Sequence, residues 1–294
     1  MSTIERRPYN SIGLHGIDDE YLKEVFDYID EHADDFVEEL RRFCRQPSIA
    51  VTHEGIEDCA QLLKSMMEDV GIETRVVPER GGHPVVLGEQ KFNGATKIIG
   101  FYNHYDVQPP EPLELWVTPP FSADVRDGKI FARGVDDNKG NIMARLKAVE
   151  AIKETVGKAP ANVKFFIEGE EETGSHHLGP FVKDHMNLLK ADGYIWESGR
   201  VDSQGRPEVG LGVKGKFDVE LRARGANIDV HSAQAPLIPE PAWRLIWALS
   251  SMKGEDEIIR IDEWYDDVKE PTEQEMNLLR GLPFEEEAIK TSGV

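Results

Sequence analysis

The sequence has little cysteine and a deficit of basic residues, and each shortage excludes a class of protein. Only two cysteines, Cys44 and Cys59, occur in 294 residues, which is too few for a fold held together by disulfides. Both occupy apolar positions of helical patterns, so we expect reduced thiols in a core. Lysine and arginine number 34 against 55 acidic residues, and the formal charge is -21. Such a chain is unsuited to binding nucleic acid or an anionic membrane surface.

Long apolar runs are also missing. No stretch approaches the roughly 18 apolar residues of a membrane-spanning helix, and residues 1–7 lack the apolar segment of a signal peptide. We therefore expect a soluble, cytoplasmic protein with no membrane partner. Because single cores stop growing near roughly 250 to 300 residues, the length predicts one large domain and one smaller piece.

What the sequence does contain is an alternation of helical and strand patterns, which is typical of an α/β fold. Apolar residues recur at helical spacing from Leu22 to Cys44 and predict one long amphipathic helix. A shorter helix follows and ends before Gly71, which we expect in the left-handed conformation. Asp127-Gly128 predicts the turn of a hairpin. Buried or short strands are predicted at residues 73–77, 85–88, 97–102 and 163–167, and another helix from residue 141.

The stretch from Asn103 to Gly140 offers metal ligands at both of its ends. His104 and Asp106 follow a predicted strand, at the carboxyl end where open α/β sheets place their sites. In an extended chain these two side chains point to the same face, so one can bind a metal while the other fixes its orientation. Asp136 and Asp137 lie at the far end of the stretch and offer carboxylates.

Two further groups of carboxylates follow predicted strands. Glu170, Glu171 and Glu172 come after the strand at 163–167, and Glu197 follows a short apolar strand. Acidic runs are usually solvated, and single acidic residues after strands are commonly caps or turns. Here each group lies at the exit of a different strand, so we expect the groups to meet His104 and Asp137. One imidazole with several carboxylates suits zinc, and also manganese or cobalt. A shared carboxylate would hold two ions about 3.5 to 4 Å apart.

These residues resemble the zinc-dependent metallopeptidases that include glutamate carboxypeptidase, carnosine dipeptidase, aminoacylase and succinyl-diaminopimelate desuccinylase. The resemblance extends from the first helix to about Gln234. It implies a catalytic domain over residues 1–212, with a central mixed sheet between helices. Residues 213–294 would begin a smaller α+β lid or dimerisation domain, in which residues 217–224 alternate as a strand with one wet face.

The resemblance also implies a role for each candidate residue. His104 and Glu197 would bind one ion, and Asp137 would bridge both ions just before a cis peptide bond to Asn138. The four expected metal ligands are His104, Asp137, Glu172 and Glu197.

The remaining roles implied by the resemblance are catalytic. Glu171 would act as general base, Asp106 would orient the catalytic apparatus, and Glu170 would be a bystander. His231 would reach across a homodimer, formed through the lid, to stabilise the oxyanion in the partner's site. His176 and His177 are possible further ligands, but after Gly174-Ser175 they fit better at the start of a helix.

The expected activity is hydrolysis of a peptide or amide bond in a small substrate, as in a dipeptidase or carboxypeptidase. Two divalent ions would activate water, and Glu171 would take its proton and return it to the leaving amine. An N-acyl amino acid deacylase is the alternative within the family, which Glu197 mildly favours and residues 107–109 mildly oppose.

The sequence departs from the family in one respect. Family members complete the second metal site with a histidine near the C-terminus, but no histidine follows His231 here. The arginine and glycine groups that hold a substrate carboxylate are absent as well. We therefore expect either part of a longer enzyme or a truncated, non-catalytic homologue that binds one metal or a partner subunit.

Overall fold

The computed structural model describes residues 19–197, 199–201, 207–210, 212–213, 215–216 and 218–282. The chain forms two compact units, Met1–Leu211 and Gly212–Val294. The metal-ligating candidates all belong to the first unit, whereas His231 belongs to the second. None of the helices in the described ranges is both long and apolar enough to cross a membrane.

The first unit contains a five-stranded mixed sheet, whose strands are β1 Glu73–Val77, β2 Val85–Gln90, β3 Lys97–His104, β6 Ala161–Glu168 and β7 Gly193–Ile195. Their order in the sheet is β1-β2-β6-β3-β7. Strand β3 runs parallel to both β6 and β7, whereas β2 is antiparallel to β1 and β6. The predicted central mixed sheet is therefore confirmed.

Helices cover both faces of this sheet. Successive side chains of a strand point to opposite sides, and the central strands carry apolar side chains on both. The helices of the first unit are α1 Asp19–Glu31, α2 Ala33–Arg45, α3 Ile56–Asp69, α4 Gly140–Glu154 and α5 Leu178–Leu189. Val86, Phe165 and Ile167 pack with α3 and α4 in the larger core, while Phe166 packs with α5 on the other face. The result is a sheet between helices, as predicted.

Several local predictions are confirmed in the first unit. Gly71 ends α3 with a φ of 72°, in the left-handed region. Asp127 and Gly128 connect β4 Asp124–Arg126 to β5 Lys129–Phe131, and both have positive φ, as a type I′ hairpin turn requires. Cys44 and Cys59 are free and buried.

The single long helix predicted from Leu22 to Cys44 is wrong in one respect, because it is interrupted at His32. This residue has φ -100° and ψ 7°, outside the helical region, and it separates α1 from α2. Main-chain hydrogen bonds from His32 N to Tyr28 O and from Phe36 N to His32 O continue on both sides, at 3.1 and 3.0 Å. The apolar periodicity therefore persists through the break, and periodicity alone could not reveal it.

The described residues of the second unit contain helices joined by irregular segments. Helix α6, Pro241–Met252, contains Trp243 and Trp247, and α7 spans Glu273–Arg280. The strand predicted at 217–224 is wrong for its described residues, 218–224, which have no strand conformation; Phe217 lies outside the described residues. A strand needs a hydrogen-bonded neighbour, and the alternating pattern could not supply one. A further short pair, β8 Arg200–Val201 with β9 Pro207–Glu208, precedes this unit.

Candidate metal centre

Three parallel strands bring the candidate ligands to one edge of the sheet. Strand β3 ends at His104, and its parallel neighbours β6 and β7 end at Glu168 and Ile195. The carboxyl ends of parallel strands meet at the same edge, where α/β sheets bind ligands. The chain leaving β6 carries Glu171, and the chain leaving β7 carries Glu197.

His104 is the centre of this group. Its Nε2 lies 2.9 Å from Asp137 Oδ1, 3.5 Å from Glu197 Oε2 and 4.0 Å from Glu171 Oε2. The side chain of His104 is fully buried, whereas 64% of the Asp137 side chain is exposed, so the group opens to solvent on one side. In the described part of the chain, one group of ligating atoms could hold a metal ion, and it comprises His104, Glu171 and Glu197.

The atoms of this group fit a divalent cation. Glu197 Oε2 is buried and has no hydrogen-bond partner, although it lies beside the His104 imidazole. A buried carboxylate oxygen without a partner is costly unless a cation or a donor meets it. A nitrogen ligand combined with carboxylate oxygens is the set that zinc, manganese and cobalt accept. The residues present therefore match the metal that the sequence predicts.

Asp137 is outside that ligand group but contacts His104, so its predicted metal ligation stays a prediction. It lies in a short irregular segment, Val135–Lys139, at the start of α4. The peptide bond between Asp137 and Asn138 is cis, which confirms the sequence prediction. Lys139 is fully buried, and its Nζ donates to the main-chain oxygens of Phe43, at 3.2 Å, and Gln46, at 2.6 Å. These bonds tie the segment that carries Asp137 to the end of α2.

Asp106 links the imidazole to the turn after β6. It is fully buried, and its Oδ1 lies 3.4 Å from His104 Nδ1 while its main-chain oxygen lies 3.2 Å from the same atom. The carboxylate also accepts the main-chain N–H groups of Glu171, at 3.2 Å, and Glu172, at 3.0 Å. One side chain thus orients both the histidine and the glutamate pair, which supports its predicted orienting role.

The two adjacent glutamates have different surroundings. Glu171 belongs to the group around His104, whereas the Glu172 carboxylate accepts a hydrogen bond of 3.0 Å from Gln108 Nε2. Glu172 is outside the one ligand group of the described residues, so its predicted metal ligation stays a prediction. The neighbouring Glu170 turns to His177, whose Nδ1 lies 2.9 Å from its Oε2.

Burial and charge shift the pKa values of this group upward. Burial alone would lower the pKa of His104, but Asp106, Glu171 and Asp137 outweigh it and raise the pKa to about 9. Burial raises the pKa of Glu171 and of Glu197, against the opposing effect of His104. Carboxyl groups that resist ionisation in each other's presence are typical of sites that bind cations or move protons.

Comparison with known proteins identifies the family. Residues 100–266 match the model of peptidase family M20/M25/M40. The chain belongs to this family. The matched range contains every residue of the candidate centre, and it also includes His231.

Relatives within the peptidase family are similar over most of this chain. The Beta-Ala-His dipeptidase of Homo sapiens is 30% identical, covering 92% of this chain and 57% of its own length. The Cys-Gly metallodipeptidase of Schizosaccharomyces pombe is 27% identical, covering 92% of this chain and 60% of its own. An M20 family metallo-carboxypeptidase from Sulfolobus solfataricus superposes with a TM-score of 0.76 at 37% identity, over 87% of this chain and 58% of that one. The chain spans about three fifths of the length of these M20 relatives.

His231, which the family resemblance predicts to stabilise the oxyanion, lies in the second unit. It precedes the short helix Ser232–Leu237, and its Nδ1 accepts a hydrogen bond of 3.1 Å from Ala233 N. Its catalytic role stays a prediction.

Sequence reasoning missed two features of the first unit. Arg145 on α4 donates hydrogen bonds to Tyr102 O, near the carboxyl end of β3, and to the main chain that follows β7. His53 and His83, which carry no motif, pair through Nδ1 and Nε2 at 2.7 Å, and His83 contacts the main-chain oxygen of Gly169. These are contacts between residues distant in sequence, and no local sequence pattern predicts them. His177 immediately precedes α5, as predicted.

Proposed function

We propose that this protein hydrolyses a peptide or amide bond in a small substrate, in the manner of a dipeptidase or carboxypeptidase. The observation that carries the proposal is the convergence of His104 Nε2 with the carboxylates of Asp137, Glu171 and Glu197 at one sheet edge. The named activities of the M20 relatives, which are dipeptidases and a metallo-carboxypeptidase, support the substrate class.

The proposed cofactors are two divalent ions, with zinc as the first candidate and manganese or cobalt as alternatives. His104, Asp137 and Glu197 would hold one ion, and Asp137 with Glu172 would contribute to the second. Such ions, when bound, act as Lewis acids that lower the pKa of water and polarise a carbonyl group. The unpartnered Oε2 of Glu197 supports the first of these positions.

Glu171 is the proposed general base. Its Oε2 lies 4.0 Å from His104 Nε2, and 35% of its side chain is exposed, so the carboxylate can meet water and substrate. Burial and the neighbouring carboxylates raise the pKa of Glu171, which makes it a stronger base than a free glutamate. Glu171 would take a proton from the attacking water and then deliver it to the leaving amine. Asp106 would hold the main chain of Glu171 during both transfers.

A calorimetric zinc titration combined with assays on dipeptides and N-acyl amino acids tests this proposal. Turnover of dipeptides with one or two bound ions supports it. Faster cleavage of N-acyl amino acids would favour the deacylase alternative. Ion binding without turnover of either class would favour a non-catalytic homologue, and the absence of ion binding would contradict the proposal altogether.

We also propose a cytoplasmic homodimer in which His231 serves the partner's site. The free, buried Cys44 and Cys59 fit a reducing compartment, and fractionation of the source cells tests that location. For the dimer, Glu171→Gln and His231→Ala chains are each expected to be inactive and are mixed. Heterodimers would then contain one intact site, so an equimolar mixture should recover about a quarter of wild-type activity. No recovery, together with a monomeric mass by light scattering, would contradict the dimer.

A further inference from the structure

Arg145 makes hydrogen bonds to two neighbouring strand ends at the candidate metal centre. From α4, its guanidinium donates to Tyr102 O at 2.9 Å and to Asn103 Oδ1 at 2.5 Å. It also donates to Trp196 O at 3.2 Å and to Glu197 O. One side chain therefore holds four acceptors on two separate segments of the chain.

These acceptors are adjacent to, or part of, two of the candidate ligands. Asn103 immediately precedes His104, and Trp196 immediately precedes Glu197. The distance between His104 Nε2 and Glu197 Oε2, 3.5 Å, therefore depends on how the ends of β3 and β7 are held together. A planar guanidinium with five fixed donors suits this task, because it loses little freedom for each hydrogen bond.

Arg145 is also linked to the segment that carries a third candidate ligand, Asp137, through a hydrogen bond between two asparagines. Asn103, whose Oδ1 accepts from Arg145, donates through Nδ2 to Asn138 Oδ1. Both asparagines are fully buried, and Asn138 follows Asp137 in the chain. The series Arg145–Asn103–Asn138 thus extends from α4 to the residue next to Asp137.

A purely structural role for Arg145 predicts a different result from a role in metal coordination. The guanidinium also lies 5.4 Å from the ring centre of Phe101, so its removal should cost some folding stability in either case. Only a residue that sets ligand geometry should change metal affinity and the spectrum of a bound ion, because hydrogen bonds behind the ligands orient them.

We infer that Arg145 is a positioning residue that holds His104, Asp137 and Glu197 in the geometry required for metal binding. This inference rests on the proposed function, which gives Arg145 no part. Helix α4 would thus contribute to the metal centre through Arg145, a residue that belongs neither to the sequence motifs nor to the ligand group.

Cobalt titration of the whole chain tests the inference, since bound Co²⁺ reports its coordination through visible absorption. Arg145→Met should weaken binding of the first ion by roughly 10- to 100-fold and alter the absorption bands, as expected for a residue that orients ligands. Arg145→Lys should fail to restore either property, because an ammonium group lacks the planar arrangement of donors. If Arg145→Met does not fold, Arg145→Lys alone carries the test.

Arg41→Lys is the matched control. Arg41 also donates to a main-chain oxygen, that of Ala123 at 2.9 Å, and its guanidinium pairs with Glu38 of the same helix. The Arg41→Lys substitution should leave cobalt affinity and absorption unchanged. Variants of Arg145 that bind cobalt with wild-type affinity and spectrum, even if they unfold at lower temperature, would overturn the inference but not the proposed function. A wild-type chain that binds no cobalt would instead overturn the proposed function, and the inference with it.

Discussion

The two units of this chain differ in what their sequences bury. The first unit has a core on each face of its sheet, and it buries His104, Asp106 and Asn138 completely at the sheet edge. Among the described residues of the second unit none is buried, and large apolar side chains such as Trp247 and Leu249 are more than half exposed. A site that depends on fixed ligand distances requires the first kind of surroundings.

This comparison separates two kinds of prediction. Ligand binding in the first unit depends on contacts that are present within that unit. The predicted role of His231 in the second unit depends on an assembly of two chains, and its own contact is a local bond to Ala233 N. Measurements on the metal centre and on the second unit should therefore respond to different changes.

The largest effect is expected from Glu171→Gln in the first unit. Loss of the proposed general base should reduce turnover by roughly 10²- to 10⁴-fold, while the protein should still fold and bind an ion through His104. Steady-state kinetics with a zinc titration measure both properties. Glu170→Gln is the matched control, because Glu170 pairs with His177 instead of His104. Equal losses in the two variants would remove the distinction between base and bystander.

A matched pair of leucine substitutions tests the difference in burial directly. Leu146 is fully buried on α4, whereas Leu249 on α6 is 57% exposed. Leu146→Ala should lower the free energy of unfolding by about 2 to 5 kcal/mol, and Leu249→Ala should change it by less than about 0.5 kcal/mol. Urea unfolding followed by circular dichroism measures both. A large loss for Leu249→Ala would mean that α6 is packed in solution, and the comparison would fail.

The pH dependence of stability should change sign when metal is removed. The folded pKa of His104, about 9, exceeds its ordinary value of 6.5, so its contribution is complete below about pH 6.5 and is lost as the pH rises through about 9. The raised pKa values of Glu171 and Glu197 act in the same direction. The melting temperature of chelator-treated protein should therefore fall over this range.

Metal ions should reverse that trend, since protons compete with the ion for the same ligands and stabilisation by zinc grows with pH. His104→Asn is the control and should flatten both curves. A melting temperature of the metal-free protein that rises with pH would contradict the assigned surroundings of His104.

The smallest effect concerns the two thiols of the first unit. Burial raises the pKa of Cys44 to about 11 and also raises that of Cys59. At pH 8 the thiolate of Cys44 should be about a hundredfold scarcer than in an unfolded chain, so a disulfide reagent should label native protein slowly. Val51→Cys adds a thiol at an exposed position and provides the fast control. Rapid labelling of the wild type would show that the first unit opens readily.

The sequence was sufficient to place the candidate ligands on the fold. Apolar runs ended by His104 and followed by Glu197 marked two strand ends, and parallel pairing at β3 then brought them to one edge. The hairpin turn at Asp127-Gly128 was equally local, because positive φ at both positions is a property of those residues.

Other features could not be predicted because they depend on long-range contacts. Arg145 meets Glu197 O across 52 residues of sequence, and Lys139 meets Phe43 O across 96. The different surroundings of Glu171 and Glu172 likewise arise from a distant partner, Gln108. The alternating pattern of residues 218–224 was misleading for the same reason, because alternation describes two faces but does not supply a pairing strand.

The carboxylate of Asp106 has a consequence for how this centre tolerates substitution. Because its two oxygens accept the N–H groups of consecutive glutamates and one of them contacts His104, Asp106 links the position of Glu171 to that of the imidazole. An asparagine of the same size would replace one of these oxygens by an NH₂ group, which cannot accept a hydrogen bond from the amide that faces it. A substitution of Asp106 would therefore disturb the His104 imidazole and both glutamates at the same time.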